Sequence, residues 1–194
     1  MRLKFFVVLF LSLLFNTQVK GQNFAVKSNM LYDATATINF GMEIGLAPQW
    51  TFDLSGNFNG WKMSDDRMWK HWMLQPEARY WFCERFGGHF VGVHAHGGQF
   101  NFGGIDNNFS FLGTDFSKLS NQRYQGWFVG GGVGYGYSWI LNKSWNLEAE
   151  LGVGYSYTRY DSFPYAPCGE KLEENMTHHY IGVTKLAVSL IYLF

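Results

Sequence analysis

The chain is short of charge. Asp, Glu, Lys and Arg make up 15% of its 194 residues, against about 25% in an ordinary globular domain. A water-facing surface needs more, so a conventional soluble packing is disfavoured from the start. Basic runs are missing, and gripping phosphate backbones takes clustered Lys and Arg, so no nucleic-acid partner is expected. After the first residues no apolar run approaches the ~20 residues of a membrane-spanning helix. Cysteine is confined to Cys83 and Cys168. What is plentiful is aromatic and small: 8 Trp, 11 Tyr, 19 Phe and 23 Gly.

The opening "MRLKFFVVLFLSLLFNTQVKGQ" sets Arg2 and Lys4 before an apolar run from Phe5 to Phe15, interrupted only by Ser12. Val19 and Gly21 are suitably small before a cut at Gln22. This predicts a secretory signal peptide over 1–21 and one mature domain over 22–194. The formal charge of the whole chain is zero. Cleavage removes Arg2, Lys4 and Lys20 and no acid, leaving the mature chain at about −3.

The mature chain alternates. Eight segments sort by parity into an apolar and a small or polar face. They lie near 24–32, 38–46, 50–59, 71–82, 89–100, 124–141, 145–158 and 185–194. In the second, Ile38, Phe40, Met42, Ile44 and Leu46 oppose Asn39, Gly41, Glu43 and Gly45. In the sixth, Trp127, Val129, Val133, Tyr135, Tyr137 and Trp139 oppose Gly126, Gly130, Gly132, Gly134 and Gly136. The first places Phe24, Val26, Met30 and Tyr32 on its apolar side. Pro76, on the apolar side of the fourth, removes a ladder donor and predicts a bulge or local irregularity. In the last, Leu186, Val188, Leu190, Tyr192 and Phe194 stand against Lys185, Ala187, Ser189, Ile191 and Leu193.

The second face is mostly Gly, Ser, Asn and Thr with about one charge per strand, too sparse for a solvated surface. It suits a cramped interior, so the reading is inside-out: an eight-stranded antiparallel transmembrane β-barrel with lipid outside. The connections "APQ", "CERFG" and "NKS" alternate with "DATAT", "WKMSDDRMWK" and the stretches 101–123 and 159–178. Short periplasmic turns and longer extracellular loops would produce that rhythm, with both termini periplasmic. Cys83 and Cys168 then lie at opposite ends of a wall ~25 Å tall, beyond the ~7 Å reach of a disulfide, so two free thiols are expected.

The inward parity collects Lys27, Glu43, Asp53, Glu77, Arg79, His94, His96, Glu148, Glu150 and Lys185. Two readings compete for these residues. One is a proton or ion path. The other is a charge-paired core plugging a barrel too narrow to conduct, favoured because eight strands leave an interior just filled by side chains. His94 and His96 share a face, but a zinc site needs three or four converging ligands, which spacing does not supply. In the last loop, Cys168, Glu170, Glu173, Glu174, His178 and His179 form a polar cluster, read as solvated. No Ser, His and acid can be grouped into a triad, so neither catalysis nor a cofactor is expected.

The stretches "KSNMLYD", "WKHWMLQPEARYWFCERFGGHFVGVHAHGGQFN", "RYQGWFVGGGVGYGYSWIL" and "WNLEAELGVGYSY" add a resemblance. The fold resembles small OmpA/OmpX-type barrels. More closely, these stretches resemble an uncharacterised family of Gram-negative outer-membrane barrels often encoded near fimbrial genes. The resemblance implies outer-membrane location, with Tyr192 and Phe194 as a terminal signal for the barrel-insertion machinery. The role expected for such a barrel is structural or adhesive, with loops near 60–70, 101–123 and 159–178 meeting a surface or fimbrial protein. A lipid-modifying enzyme, a narrow solute channel and a soluble lipocalin-like carrier are the rivals.

Overall fold

A computed structural model describes residues 23–61, 68–103, 110–111, 114–115, 122–164 and 171–194. The expected signal peptide, Cys168 and Glu170 lie outside the described residues. The elements are β1 (Phe24–Asn29), α1 (Met30–Ala34), β2 (Ile38–Ala47), β3 (Trp50–Asn59), β4 (Met68–Trp81), β5 (Gly88–Gly103), β6 (Ser110–Phe111), β7 (Thr114–Asp115), β8 (Gln122–Ile140), β9 (Trp145–Pro164) and β10 (Glu173–Leu193). Eight of these strands form one antiparallel, ring-like sheet in the order β1-β10-β9-β8-β5-β4-β3-β2. The ring closes because β1 pairs with both β2 and β10. Strands β6 and β7 pair separately as a two-stranded sheet. Connections 48–49, 82–87 and 141–144 gather at one end with Asn23 and Phe194, and the longer ones gather at the other.

The first strand stops earlier than alternation suggests. Met30 and Tyr32 lie in α1, not on the apolar face of β1. Asn29 is the cause: its side-chain oxygen accepts from the Leu31 amide at 3.1 Å and starts the helix. The same amide group donates to the Leu186 carbonyl and accepts from the Val188 amide, each at 3.2 Å. It thus stands in for the next rung of β1 beside β10.

Strands at the other side of the ring run longer than alternation suggests. β9 has 20 residues and β10 has 21, against 6 for β1 and 10 each for β2 and β3. Within the region 159–178, expected as loop, residues 159–164 and 173–178 are strand, with Met176 opposite Tyr160 and Glu173 opposite Ser162. Beyond Tyr157 the outward positions become Arg159 and Asp161, so the apolar signal ends while the backbone ladder continues. In β10 a register shift between Val183 and Lys185 also reverses the phase of alternation. Above it Ile181 is outward and strongly exposed; below it Lys185 is buried and Leu186 outward. Pro76 produces the local irregularity expected of it, without a bulge. β4 and β5 keep one register from Leu74 opposite Gly97 to Glu77 opposite His94, with the rungs between them unmade.

The ring has inverted polarity. Its exposed large side chains include Phe40, Met42, Phe52, Leu74, Val93, Val133, Leu151, Val153 and Leu186. Its buried ones include Lys27, Glu43, Asp53, Glu77, Arg79, Glu148, Glu150 and Lys185.

Candidate functional site

The interior is layered from the short-turn end upward. Its floor is apolar: Ala25, Trp81, Phe86, Phe90, Ile191 and Leu193 are all buried. Ile191 and Leu193, expected on a half-polar face, turn inward and help close this end. The Trp81 and Phe90 rings lie 4.6 Å apart, and Trp81 and Phe86 6.2 Å. Phe86 holds a left-handed backbone, φ 65°, which is costly for a bulky residue. Its carbonyl is pinned by Ser138 Oγ at 3.1 Å and Asn146 Nδ2 at 2.5 Å. Those two contacts hold the 82–87 turn beneath the ring.

Two contacts tie this floor to the charges above it. Trp81 Nε1 donates to Thr51 Oγ1 at 2.9 Å, and Thr51 in turn donates to Glu43 Oε1. The Arg79 guanidinium carbon sits 4.5 Å from the Phe90 ring centre, a cation–π contact.

Arg79 is the centre of the charge layer. Its Nε donates to Glu77 Oε2 at 2.7 Å and its Nη2 to Glu150 Oε2 at 2.6 Å. Its Nη1 donates to Glu43 Oε2 at 2.9 Å and to Glu148 Oε1 at 3.1 Å. Lys27 Nζ lies 2.5 Å from Glu43 Oε2, 3.3 Å from Asp53 Oδ1 and 3.6 Å from Glu148 Oε1. Lys185 Nζ lies 2.5 Å from Glu77 Oε2, 3.1 Å from Glu150 Oε2 and 3.8 Å from Asp53 Oδ2. The structure therefore joins all eight inward charged residues named from the sequence into one network, spread over β1, β2, β3, β4, β9 and β10. Burying so many charges is tolerable only because each cation meets several carboxylates.

Glycine on neighbouring strands gives these side chains room. A Cβ on Gly92 would fall 1.9 Å from Glu77 Oε1, and one on Gly41 2.5 Å from Lys27 Cγ. One on Gly130 would meet His96 Nε2 at 2.6 Å.

His94 and His96 stand above the charges, their rings 6.0 Å apart. His94 Nε2 shares a hydrogen bond with Thr184 Oγ1 at 2.9 Å, made possible because the β10 irregularity turns Thr184 inward. Among the described residues no group of three or more His, Cys, Asp or Glu side chains is arranged to hold a metal ion. His178, His179, Glu173 and Glu174 lie on β10 rather than in a loop. His179 Nδ1 is 2.5 Å from the Tyr155 hydroxyl, and Glu174 pairs with Lys171 at 3.1 Å. Cys83 is an exposed free thiol beside the short-turn end.

At the long-connection end the ring opens into a vestibule of about 880 Å³, whose lining includes Asn59, His71, Phe100, Gly126, Tyr160 and Asn175. An aromatic ladder climbs its wall: His96 to Phe128 at 6.1 Å, Phe128 to Phe100 at 6.3 Å, Phe100 to Phe102 at 5.3 Å and Phe102 to Trp69 at 4.5 Å. A family model described as "Protein of unknown function (DUF3575)" matches residues 6–194. The chain belongs to that family. No curated protein matches it significantly.

The inward rings were missed from sequence, although their parity marks them. Phe90 and Phe100 share parity with His94 and His96, Phe128 shares it with Gly126 and Gly130, and Trp81 shares it with Glu77 and Arg79. Reading "inside" as "polar" hid them.

Proposed function

We propose that this family member is a non-enzymatic outer-membrane β-barrel, its wall against lipid and its vestibule end serving a structural or surface-interaction role. The observation that carries the reading is the inverted polarity. The outward runs of β2, β3, β8 and β9 from Ile38 to Leu46, Trp50 to Phe58, Trp127 to Trp139 and Trp145 to Tyr157 contain no Asp, Glu, Lys or Arg. An exposed apolar surface that encircles the molecule far exceeds the few hundred Å² a soluble monomer leaves uncovered. Trp50, Trp139, Trp145 and Tyr192 mark the short-turn end of this belt, and Trp72, Trp127 and Tyr157 the other. At ~3.3 Å per residue and a tilt of ~45°, Trp145 to Tyr157 spans roughly 28 Å, close to the apolar band of such barrels.

Several features support a closed, non-catalytic interior. The Trp81–Phe90 floor and the Arg79 network stand in series across the ring, which favours a plug over a channel. The histidine hydrogen bonds described above go to Thr184 and Tyr155, not to a serine beside an acid. At the rim, Tyr192 and Phe194 rings pack 4.8 Å apart, with Trp145 5.0 Å from Tyr192 and Phe24 5.5 Å from Phe194. That outward cluster is the proposed signal for the insertion machinery.

Membrane-impermeant maleimide tests the orientation on whole cells. In a Cys168→Ser chain, Cys83 should label only after the outer membrane is permeabilised. A cysteine introduced by Glu173→Cys, in a chain lacking both native cysteines, should label on intact cells. Equal labelling of both sites on intact cells, or recovery of the chain in the detergent-free soluble fraction, would sink the reading. The surface role is tested by capture of partners with the chain intact and with the 104–121 connection shortened; undiminished capture would remove that connection from the role.

A further inference from the structure

We infer that Glu77 and Glu150 share one proton, so that the charge layer is a proton-binding site inside the ring. The inference rests on interior geometry and holds whichever solvent meets the wall. Every element around the site supplies its groups to the count. β1 contributes Lys27, β2 Glu43, β3 Asp53, β4 Glu77 and Arg79, β5 His94, β9 Glu148 and Glu150, and β10 Lys185. Tyr32 of α1 lines the same small cavity as Lys185, and β8 brings only glycine against the two carboxyls. Five carboxylates thus face three permanent cations. Fully ionised, the layer would bury two uncompensated negative charges, and an unpaired buried charge costs several kcal/mol.

Hydrogen bonding says where a proton belongs. Glu43 accepts on both oxygens, from Thr51 on one and from Lys27 and Arg79 on the other. Glu148 accepts from Arg79 on both, at 3.1 Å. Asp53 takes no hydrogen bond on Oδ1, but that oxygen sits 3.3 Å from Lys27 Nζ, and Oδ2 lies 3.6 Å from Arg79 Nη2 and 3.8 Å from Lys185 Nζ, so both its oxygens face cations. Glu77 and Glu150 differ. Arg79 and Lys185 serve only their Oε2 atoms, while the Oε1 atom of each, on a side chain more than nine-tenths buried, has no donor. Both orphaned oxygens face one glycine rung, Gly92 of β5 opposite Gly134 of β8: a Cβ on Gly92 would lie 1.9 Å from Glu77 Oε1, and one on Gly134 2.7 Å from Glu150 Oε1 and 3.5 Å from Glu77 Oε1. Arg79 and Lys185 each bridge the two carboxyls through their Oε2 atoms. Two ionised acceptors cannot satisfy one another. One proton, covalently held on one carboxyl and donated to the other, makes a strong charge-assisted O–H···O bond and removes one of the two excess charges. When the proton leaves at alkaline pH, the repulsion between the two groups returns.

Infrared spectra of the refolded protein at neutral pH, with urea-unfolding midpoints across alkaline pH, test this. The wild type should show the carbonyl stretch of a buried protonated carboxyl. Glu150→Gln and Glu77→Gln should each abolish that band, and Glu43→Gln should keep it. A glutamine at 150 or 77 can donate as the proton did, so these variants should hold their midpoint where the wild type loses it with rising pH. Absence of the band from the wild type, its persistence in both Gln variants, or a midpoint that follows sodium concentration with no such band would overturn the proton. The last result would assign the neutralising role to an alkali cation.

Discussion

In the half of the ring near the short turns, side chains from strand after strand meet at the centre. Ala25, Trp81, Phe86, Phe90, Ile191 and Leu193 close the floor, and Arg79 gathers carboxylates from β2, β4 and β9 directly above it. In the half near the long connections, β1 has ended, β8, β9 and β10 continue, and half-buried aromatic rings line an open vestibule. The lower half is over-determined, because moving one group disturbs several partners. The upper half makes mostly pairwise contacts, so its lining can change without unlocking the ring. Stability and the surface role proposed above would thereby fall to two ends of one sheet.

The largest test of that division removes the centre of the lower half. Arg79→Met leaves five carboxylates, Glu43, Asp53, Glu77, Glu148 and Glu150, sharing two lysines, and breaking a buried ion network costs about 3–5 kcal/mol. Urea titration of the refolded protein should show that loss. Trp69→Ala, which deletes the 4.5 Å stack on Phe102 in the upper half, should cost only about 1 kcal/mol. Equal losses would erase the distinction.

The wall comes next. Leu151→Arg puts a charge on the mid-belt of β9 and, if that face meets lipid, should cost about 2–4 kcal/mol, read as a lost electrophoretic shift on heating. A fully tolerated arginine would contradict the lipid-facing assignment without touching the interior argument.

Glycine sharpens the comparison at smaller scale. Gly92→Ala drives a methyl into Glu77, whose carboxylate is held by Arg79 and Lys185 and cannot swing aside, for an expected loss of about 1–3 kcal/mol. Gly56→Ala finds its nearest neighbour, Leu74 Cδ1, at 3.8 Å and should shift the midpoint by less than about 1 kcal/mol in either direction.

These contrasts follow how legible each half is in the sequence. The wall and the inward charges can be read by parity, because a boundary between apolar and polar surroundings imposes period two on every strand crossing it. The floor cannot be read so easily: Ile191, Leu193, Phe90 and Trp81 are apolar on the inward parity, and only the closing of the ring says they meet. The reach of β9 and β10 is also hidden, since Arg159 and Asp161 end the apolar signal while pairing goes on. The phase reversal at Thr184 looks like a strand end, and α1 depends on one residue, Asn29, serving as cap and substitute rung. That Lys27, Arg79 and Lys185 each reach several carboxylates is three-dimensional information that spacing along the chain does not hold.

The smallest expected effect lies at the upper rim, where solvent weakens every charge. Asp161 accepts the Asn175 amide at 2.8 Å and Lys171 Nζ at 3.0 Å, and Asn175 takes a left-handed turn, φ 58°, to present that amide. The amide first, and then Lys171, hold the Asp161 carboxyl below its ordinary range. Hydrogen bonds to Asp161 and Glu174 hold Lys171 above its own. The Asp161 contribution is complete above the ordinary carboxylate range and disappears as pH falls through the lowered folded value. The Lys171 contribution is complete below the ordinary lysine range and disappears as pH rises through the raised one. Between those limits the junction at 161–175 should stay closed, and the protection of the Asn175 amide, its exchange relative to the intrinsic rate at each pH, should be greatest there. Asp161→Asn should make that protection insensitive to acid while leaving the unfolding midpoint unchanged, because the lower half carries the cooperative unit. An Asp161→Asn chain that unfolds as easily as Arg79→Met would mean that the two ends stabilise the ring together, and the division drawn between them would fail.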